Sequence, residues 1–278
     1  NIQQERLDYG NQDVDRNGSN LAQRSNSTLI LLPGMGIHYD LLKGKEAFLG
    51  IHRGFAPGGS AEGVQAENSI NYELGLSLNK PLLAGQIVGF FSDYQNLLGS
   101  DLNASGGSGT GDLFNGGAAT AYGVEFTATS TKLLSKSEKF NLPITLGYTF
   151  TQAQFASNFQ SSFDPWGTIS EGDFLPYLAP HQANLGISLE HAKFSINLNT
   201  KYTDAMRTRA GQEDVNSTIT VPSSFFLDIS GSFHIHPKVT IQASVINLGN
   251  NQNVISNRPF GLRPALPRMV RLGVNVSI

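Results

Sequence analysis

Three groups of residues have types and spacings that could do chemistry. Asp13-Val14-Asp15-Arg16-Asn17-Gly18 puts two carboxylates and an amide at alternate positions with glycine sixth. A calcium loop opens this way, because the hard cation takes oxygen ligands and the glycine makes the sharp turn. The twelfth position holds Arg24 where such a loop needs a bidentate glutamate. Asp13, Asp15 and Asn17 are therefore a weak calcium candidate, and a polar loop is the plainer reading. Gly106 to Gly111 offers backbone N–H groups of the kind that cradle phosphate, but no Lys-Ser/Thr follows and no helix is expected there. It reads as a loop. His234 and His236 share one strand face and could chelate a metal, yet they sit beside a turn at Pro237. The chain contains no Gly-x-Ser-x-Gly elbow and no His-Glu-x-x-His helix. No spacing of Ser, His and Asp marks a catalytic triad. The expectation is a protein that is not an enzyme and carries no resident cofactor.

Composition narrows the class. There is no cysteine, which excludes disulfides, thiolate metal sites and thiol nucleophiles and suits an oxidising compartment. The net charge of −3 argues against a nucleic-acid partner. With 278 residues, 30 of them glycine, and only 15% charged, the chain is long enough for one large all-β domain or two smaller ones. No apolar run reaches the roughly 18 residues of a membrane-spanning helix, a test to which barrel strands are invisible. The chain opens at Asn1-Ile2-Gln3-Gln4 without a signal peptide, so it reads as the later part of a longer protein.

The elements that must position these residues are strands. The end of the chain is the clearest: Val270, Leu272, Val274, Val276 and Ile278 alternate with Arg271, Gly273, Asn275 and Ser277. Period two with one apolar face is a strand pattern, and it recurs throughout. Residues 1–8 read as the tail of a strand, and 9–27 as a polar connection. A strand at 28–40, interrupted at Pro33-Gly34, turns at 41–45 into 46–55. After a second long connection, 68–79 carries Ile70, Tyr72, Leu74, Leu76 and Leu78 on one face and Asn71, Glu73, Gly75, Ser77 and Asn79 on the other. Lys80-Pro81 turns it into 82–96. A third loop, 97–117, leads to 118–131, a basic turn at 132–139, and 140–153. A fourth loop covers 154–174. Strands 176–189 and 193–205 meet at a tight turn. Loop five is 206–221, and 223–235 turns at His236-Pro237 into 238–247. Loop six is 248–265, and 268–278 closes the chain.

Six long connections thus alternate with five short ones between about twelve strands. Long unstructured loops are uncommon in compact soluble domains. An antiparallel up-and-down transmembrane β-barrel, with short turns at one end and long loops at the other, predicts this asymmetry. The apolar faces should then meet lipid and the polar faces the lumen, with Leu74, Leu76, Leu227, Ile229, Leu272 and Val274 facing out.

Two stretches sharpen the reading. His52-Arg53-Gly54-Phe55-Ala56-Pro57 followed by Glu67-Asn68-Ser69-Ile70-Asn71-Tyr72-Glu73-Leu74-Gly75 resembles a paired-strand motif of TonB-dependent outer-membrane receptors. Asn247-Leu248-Gly249-Asn250, then Gly261-Leu262-Arg263-Pro264-Ala265-Leu266-Pro267-Arg268, resembles that family's last extracellular loop and closing strand. The tone of the sequence is most similar to the ferric citrate and ferric siderophore branch. The resemblance implies about 12 strands of a 22-stranded barrel, with residues 1–278 as its C-terminal part. The plug domain, the early strands and the segment that contacts TonB lie outside these residues. It further implies a Gram-negative outer-membrane location, lipid and TonB as partners, and import of a ferric chelate or other chelated nutrient. The final Ile278 departs from the family's usual aromatic ending.

In such receptors the ligand sits at the extracellular side. Ferric hydroxycarboxylates are anionic, and arginine pairs with carboxylates in bidentate fashion. The residues this singles out for ligand binding are Arg207 and Arg209 in loop five, Arg258 and Arg263 in loop six, and Trp166 in loop four. The competing function is a passive barrel, either a porin-like channel or an autotransporter-type pore. A barrel lipase would need a Ser–His pair in hydrogen-bonding reach. In a larger barrel, 268–278 should be hydrogen-bonded on one side only, to the strand near Val239–Asn247.

Overall fold

The structure is a computed structural model that describes residues 2–14, 20–58, 64–100, 113–130, 140–213, 220–256 and 261–277, with the backbone alone for residues 2–29. In chain order, its strands begin with β1 (Ile2–Val14), β2 (Asn20–Leu42), β3 (Lys45–Ala56), β4 (Glu67–Lys80) and β5 (Leu83–Gln95). A short pair, β6 (Leu98–Ser100) and β7 (Leu113–Asn115), precedes β8 (Ala119–Ser130). Then come β9 (Phe140–Asn141), β10 (Ile144–Phe155), the short β11 (Phe159–Gln160) and β12 (Thr168–Ile169), β13 (His181–His191) and β14 (Phe194–Thr203). The last group is β15 (Met206–Arg207), β16 (Thr220–Val221), β17 (Ser224–His236), β18 (Val239–Ile246), β19 (Val254–Ser256), β20 (Arg263–Pro264) and β21 (Met269–Val276). Among the described residues there is no helix.

Twelve long strands form one antiparallel sheet in strict chain order, β1-β2-β3-β4-β5-β8-β10-β13-β14-β17-β18-β21, with β9 attached to β13. This is the expected meander. The last strand pairs with β18 alone, from Val239↔Val276 to Ile246↔Met269. No ladder joins it to the strands at 2–14 or 20–42 among the described residues.

The register is continuous from strand to strand, so each face can be read across the sheet. One row runs Ser77, Gln86, Thr127, Gly147, Asn184, Lys201. The row on the opposite face beside it runs Leu76, Ile87, Phe126, Tyr148, Ala183, Tyr202. The exposures are those of a soluble sheet turned inside out. On β4, Leu74 and Leu76 are 62% and 51% exposed, while Ser69 is 6% exposed and Gly75 is buried. On β21, Leu272 and Val274 are 81% and 66% exposed. A contiguous apolar face of this size is not viable in water and is the outer surface of a barrel in lipid.

Aromatic rings band the apolar face at two heights. Tyr72–Phe91, Tyr122–Phe150 and Tyr148–His181 lie toward the long loops, with ring centroids 6.1, 6.4 and 6.2 Å apart. Phe140, His191 and Phe194 cluster near the short turns, with centroids 4.9 to 6.3 Å apart. On β14 the two levels are marked by Phe194 and Tyr202. At ~3.4 Å per residue and a tilt of about 40° they stand roughly 20 Å apart along the barrel axis, close to the ~25 Å apolar band of membrane barrels.

The polar face is tied by side chains. Ser188 Oγ donates to Asn197 Oδ1 at 2.6 Å, and the Ser195 and Ser232 hydroxyls meet at 2.8 Å. At Gly75 a Cβ would stand 2.1 Å from Phe48 Cζ, so glycine there lets the Phe48 ring lie across the strand.

Three expectations are corrected. The polar stretch 9–27 is not a connection for most of its length. Tyr9↔Asn26, Asn11↔Arg24 and Asp13↔Ala22 continue the β1–β2 ladder. A ladder is made of backbone groups, so pairing runs on where the sequence carries no apolar alternation. Pro33-Gly34 does not interrupt β2; it is where the strand changes partner. Up to Pro33 it pairs with β1, and from Gly34 with β3. Proline has no N–H for a ladder, which suits such a crossing point. Third, the long connections carry structure of their own: β6 pairs β7, β11 pairs β12, β15 pairs β16, and β19 pairs β20.

Candidate functional site: the loop end of the sheet

The long connections between β5 and β17 close into a small apolar core that the sheet itself lacks. Ala119, Phe155 and Ile169 are 1–2% exposed, and Tyr94, Leu97, Phe159, Trp166, Leu175 and Ala210 pack on them. Ala119 and Phe155 are the last polar-face positions of β8 and β10, directly opposite each other in the ladder. The alternation that puts threonine and glutamine on that face inside the membrane gives way to apolar residues where the loops fold over it.

Trp166 is the centre of this core. Its ring meets Phe114, Phe155, Phe159 and Phe163 edge-on, with centroids 4.9 to 6.1 Å away. A Cβ on Gly116 would stand 2.1 Å from Trp166 Cζ3, so glycine admits the indole. The turn presenting it is held by Trp166 and Gly167 N–H groups donating to Phe163 O.

Arg207 is 6% exposed. Its guanidinium donates to Gly211 O, to Glu213 O at 2.7 Å and to Arg209 O at 3.5 Å, and lies 5.5 Å from the Phe174 ring centroid. It thus gathers the backbone of loop five around itself. Tyr177 N–H donates to Arg207 O, and Phe174 N–H to Gly211 O, which zips loop four to loop five. Arg209 is half exposed, with Nη2 3.3 Å from Asp164 Oδ1. Gln212 Nε2 bonds Glu171 O and Asp173 Oδ1 at 3.0 and 3.2 Å across the same seam.

Loop six is organised by Asn247, which is 2% exposed. Its N–H donates to Asp228 Oδ1 at 2.7 Å, Nδ2 donates to Asn251 O and Leu266 O, and Oδ1 accepts from Asn251 N–H. Its φ of 53° is a left-handed value that asparagine tolerates better than most residues. Arg263 is exposed on β20. It lowers the Tyr177 pKa, as does a hydrogen bond to Ser256, but burial outweighs both and holds the phenol above its ordinary value. That contact links loop four to loop six.

The five residues singled out for ligand binding therefore stand in different settings. Arg209 and Arg263 present guanidinium groups at the surface of the loop cap, Arg207 and Trp166 lie within it, and Arg258 lies outside the described residues. Of the calcium candidates, Asp13 is a β1 strand position, and Asp15 and Asn17 lie outside the described residues. Gly106 to Gly111 also lies outside them. His234 Nδ1 meets Thr240 Oγ1 at 2.8 Å, and His236 Nδ1 accepts from Lys238 N–H at 3.3 Å.

Sequence reasoning missed one opening. A cavity of about 510 Å³ between the upper polar face and loops five and six is lined by Lys201, Asp204, Phe226, Asp228, Asn247 and Leu266 among others. The signal was present, because period two on β14 and β17 puts Lys201 and Asp228 on the polar face.

A one-ended loop cap on an antiparallel sheet, apolar outside and polar inside, defines a transmembrane β-barrel protein. No helix among the described residues is long and apolar enough to cross a membrane. Residues 5–248 match the family model described as TonB dependent receptor-like, beta-barrel, and the chain belongs to that family, whose members are outer-membrane barrels. No curated protein matches the chain by sequence. Solved structures share its fold at low identity. The siderophore receptor PiuA from Acinetobacter baumannii superposes with a TM-score of 0.76 at 15% identity, over 99% of this chain and 40% of that one. The ferric-catecholate import receptor Fiu from E. coli K12 gives 0.69 at 16%, over 93% and 37%. The unliganded ferric citrate transporter FecA gives 0.69 at 16%, over 91% and 39%. The chain spans about two fifths of the length of these structures, so it corresponds to part of a barrel.

Proposed function

We propose that this chain forms the later strands of a TonB-dependent receptor in the Gram-negative outer membrane, and that the receptor imports a ferric siderophore or ferric citrate. Residues 1–278 are then the C-terminal part of a 22-stranded barrel whose plug and early strands precede them. The observation that carries the reading is the loop cap: β8 and β10 end in an aromatic core, and Arg209 and Arg263 stand exposed at the same end of the sheet. Arg209 and Arg263, with Arg258, offer exposed cations to an anionic chelate. Arg207 and Trp166 contribute to binding by holding the loops that carry them. Fiu is named for ferric-catecholate import, PiuA as a siderophore receptor and FecA for ferric citrate transport, which supports the substrate class.

Energy coupling separates this from a passive pore. Uptake of radiolabelled ferric citrate and of a ferric catecholate, measured in cells expressing the receptor, should disappear when TonB is deleted. R209A and R263A should each raise the half-saturating chelate concentration about tenfold at unchanged surface expression, a loss of about 1.4 kcal/mol. Uptake that persists without TonB and scales linearly with concentration would make the chain part of a porin-like channel.

A further inference from the structure

We propose that His38, Asp40 and Glu46 form a binding site for a divalent transition cation of the zinc class, at the turn end of the polar face. The three residues flank the β2–β3 hairpin. Register places Asp40 directly opposite Glu46 and His38 opposite Phe48, so all three side chains of the cluster leave the sheet on one face. One ligand atom from each lies within 4.8 Å of the others, and His38 Nε2 is 3.2 Å from Glu46 Oε2. Ligands of a tetrahedral zinc ion, at bonds of about 2.0–2.2 Å, stand roughly 3.3–3.6 Å apart. The His38–Glu46 pair already has nearly this spacing, and rotation of the Asp40 carboxylate closes the rest.

Three further features set this cluster apart from a solvated acidic edge. First, two carboxylates directly opposite across a ladder repel each other. Among the described residues neither is paired with a lysine or arginine. A cation between them removes the conflict. Second, the Ser77 hydroxyl donates to Glu46 Oε2 at 3.1 Å, an outer hydrogen bond of the kind that orients a ligating carboxylate. Third, the register shifts between Asp40 and Leu42, immediately beside the cluster, and such bulges re-aim side chains. The next pair along the same face is Gly36↔Gly50, and a Cβ at Gly50 would meet nothing within 4 Å, which leaves room for the ion and its waters.

One imidazole nitrogen and two carboxylate oxygens suit zinc, cobalt or nickel; magnesium and calcium favour all-oxygen sites. From Gly34 to Leu42, β2 is paired on its β3 side only among the described residues. A bound ion therefore clamps this edge of the sheet to its neighbour.

The test is calorimetric titration of the complete receptor that contains this chain, in detergent micelles, with Zn²⁺ alone, repeated with Co²⁺ while recording its visible ligand-field bands. One saturable equivalent is expected, with H38Q, D40N and E46Q each weakening it at least tenfold and H191Q leaving it unchanged. D40N removes a like-charge opposition, so its circular dichroism should match the parent, and weakened binding there is not a folding defect. The absence of a saturable equivalent in the parent chain would overturn the proposal. So would equal affinity for Mg²⁺ with no effect of H38Q, which would reduce the cluster to a diffuse attraction for cations.

Discussion

A buried arginine whose Nη1 and Nη2 both donate to carbonyls is a structural bolt. Arg207 holds Gly211 O and Glu213 O, and hydrogen bonds from a charged donor are worth about 1.5–3 kcal/mol each. R207A should open loop five while leaving the sheet intact. Limited proteolysis between residues 208 and 213 should accelerate at least tenfold, with unchanged β-sheet circular dichroism. Trp166 works by the same logic through packing. Truncating a buried aromatic costs about 3–5 kcal/mol, so W166A should expose loop four to protease as well. Resistance of both variants would mean that the loop core is not what holds the cap.

Tyr177 gives the cap a pH response. Its phenol is held above the ordinary value of 10.0, mainly by burial. When a folded-state pKa is raised, the neutral form is favoured by folding, so the contribution is complete below the unfolded value and is lost as pH rises beyond it. The cap should therefore keep its protease resistance up to about pH 10 and lose it above, and Y177F should flatten that decline. An identical decline in Y177F would assign the alkaline loss to another group.

At the scale of single strands, the two faces differ in what they tolerate. Leu74 and Leu76 lie on the exposed apolar face of β4, and Ser230 lies on the polar face of β17 within a cavity lined by Ser195, Ser232 and Arg271. L74R should cost about 2–4 kcal/mol near the midplane, and S230R much less. Urea titration of the complete receptor folding into lipid vesicles measures both, and equal costs would mean that the faces are assigned backwards. The topology has its own reporter. Cysteine at Glu171, exposed in loop four, should react with an impermeant maleimide on intact cells, and cysteine at Lys238, exposed at a short turn, should not.

The whole molecule raises the question of closure. Among the described residues the twelve strands make an open path, with β21 paired only to β18. An edge of unpaired N–H and C=O groups is not viable in hydrocarbon. Residues 1–278 alone should therefore give no steady single-channel conductance in planar bilayers. Uniform long-lived channels would establish a self-sufficient twelve-stranded pore instead.

Much of this was legible in the residues. Alternation such as Ile70, Tyr72, Leu74, Leu76 against Asn71, Glu73, Gly75, Ser77 determined both the strands and their two faces, because the side-chain period of a strand is two whatever it packs against. The alternation of long and short connections determined the meander. Local pattern could not determine which face meets solvent, since an apolar face is drawn to a protein core or to lipid alike. The exposure of Leu74, Leu272 and Val274 in the assembled sheet decided it. Nor could it show where pairing outlasts patterning, as in β1 and β2, whose outer residues are held by backbone bonds that carry no side-chain signature. The loops hid most, because their order comes from contacts distant in sequence. Arg207 and Arg209 are two residues apart and both looked like ligand-facing cations. Only the tertiary structure turned one toward buried carbonyl oxygens and set the other at the surface beside Asp164. His38 and Glu46, eight residues apart and on different strands, became neighbours only when the register of β2 and β3 set Asp40 against Glu46.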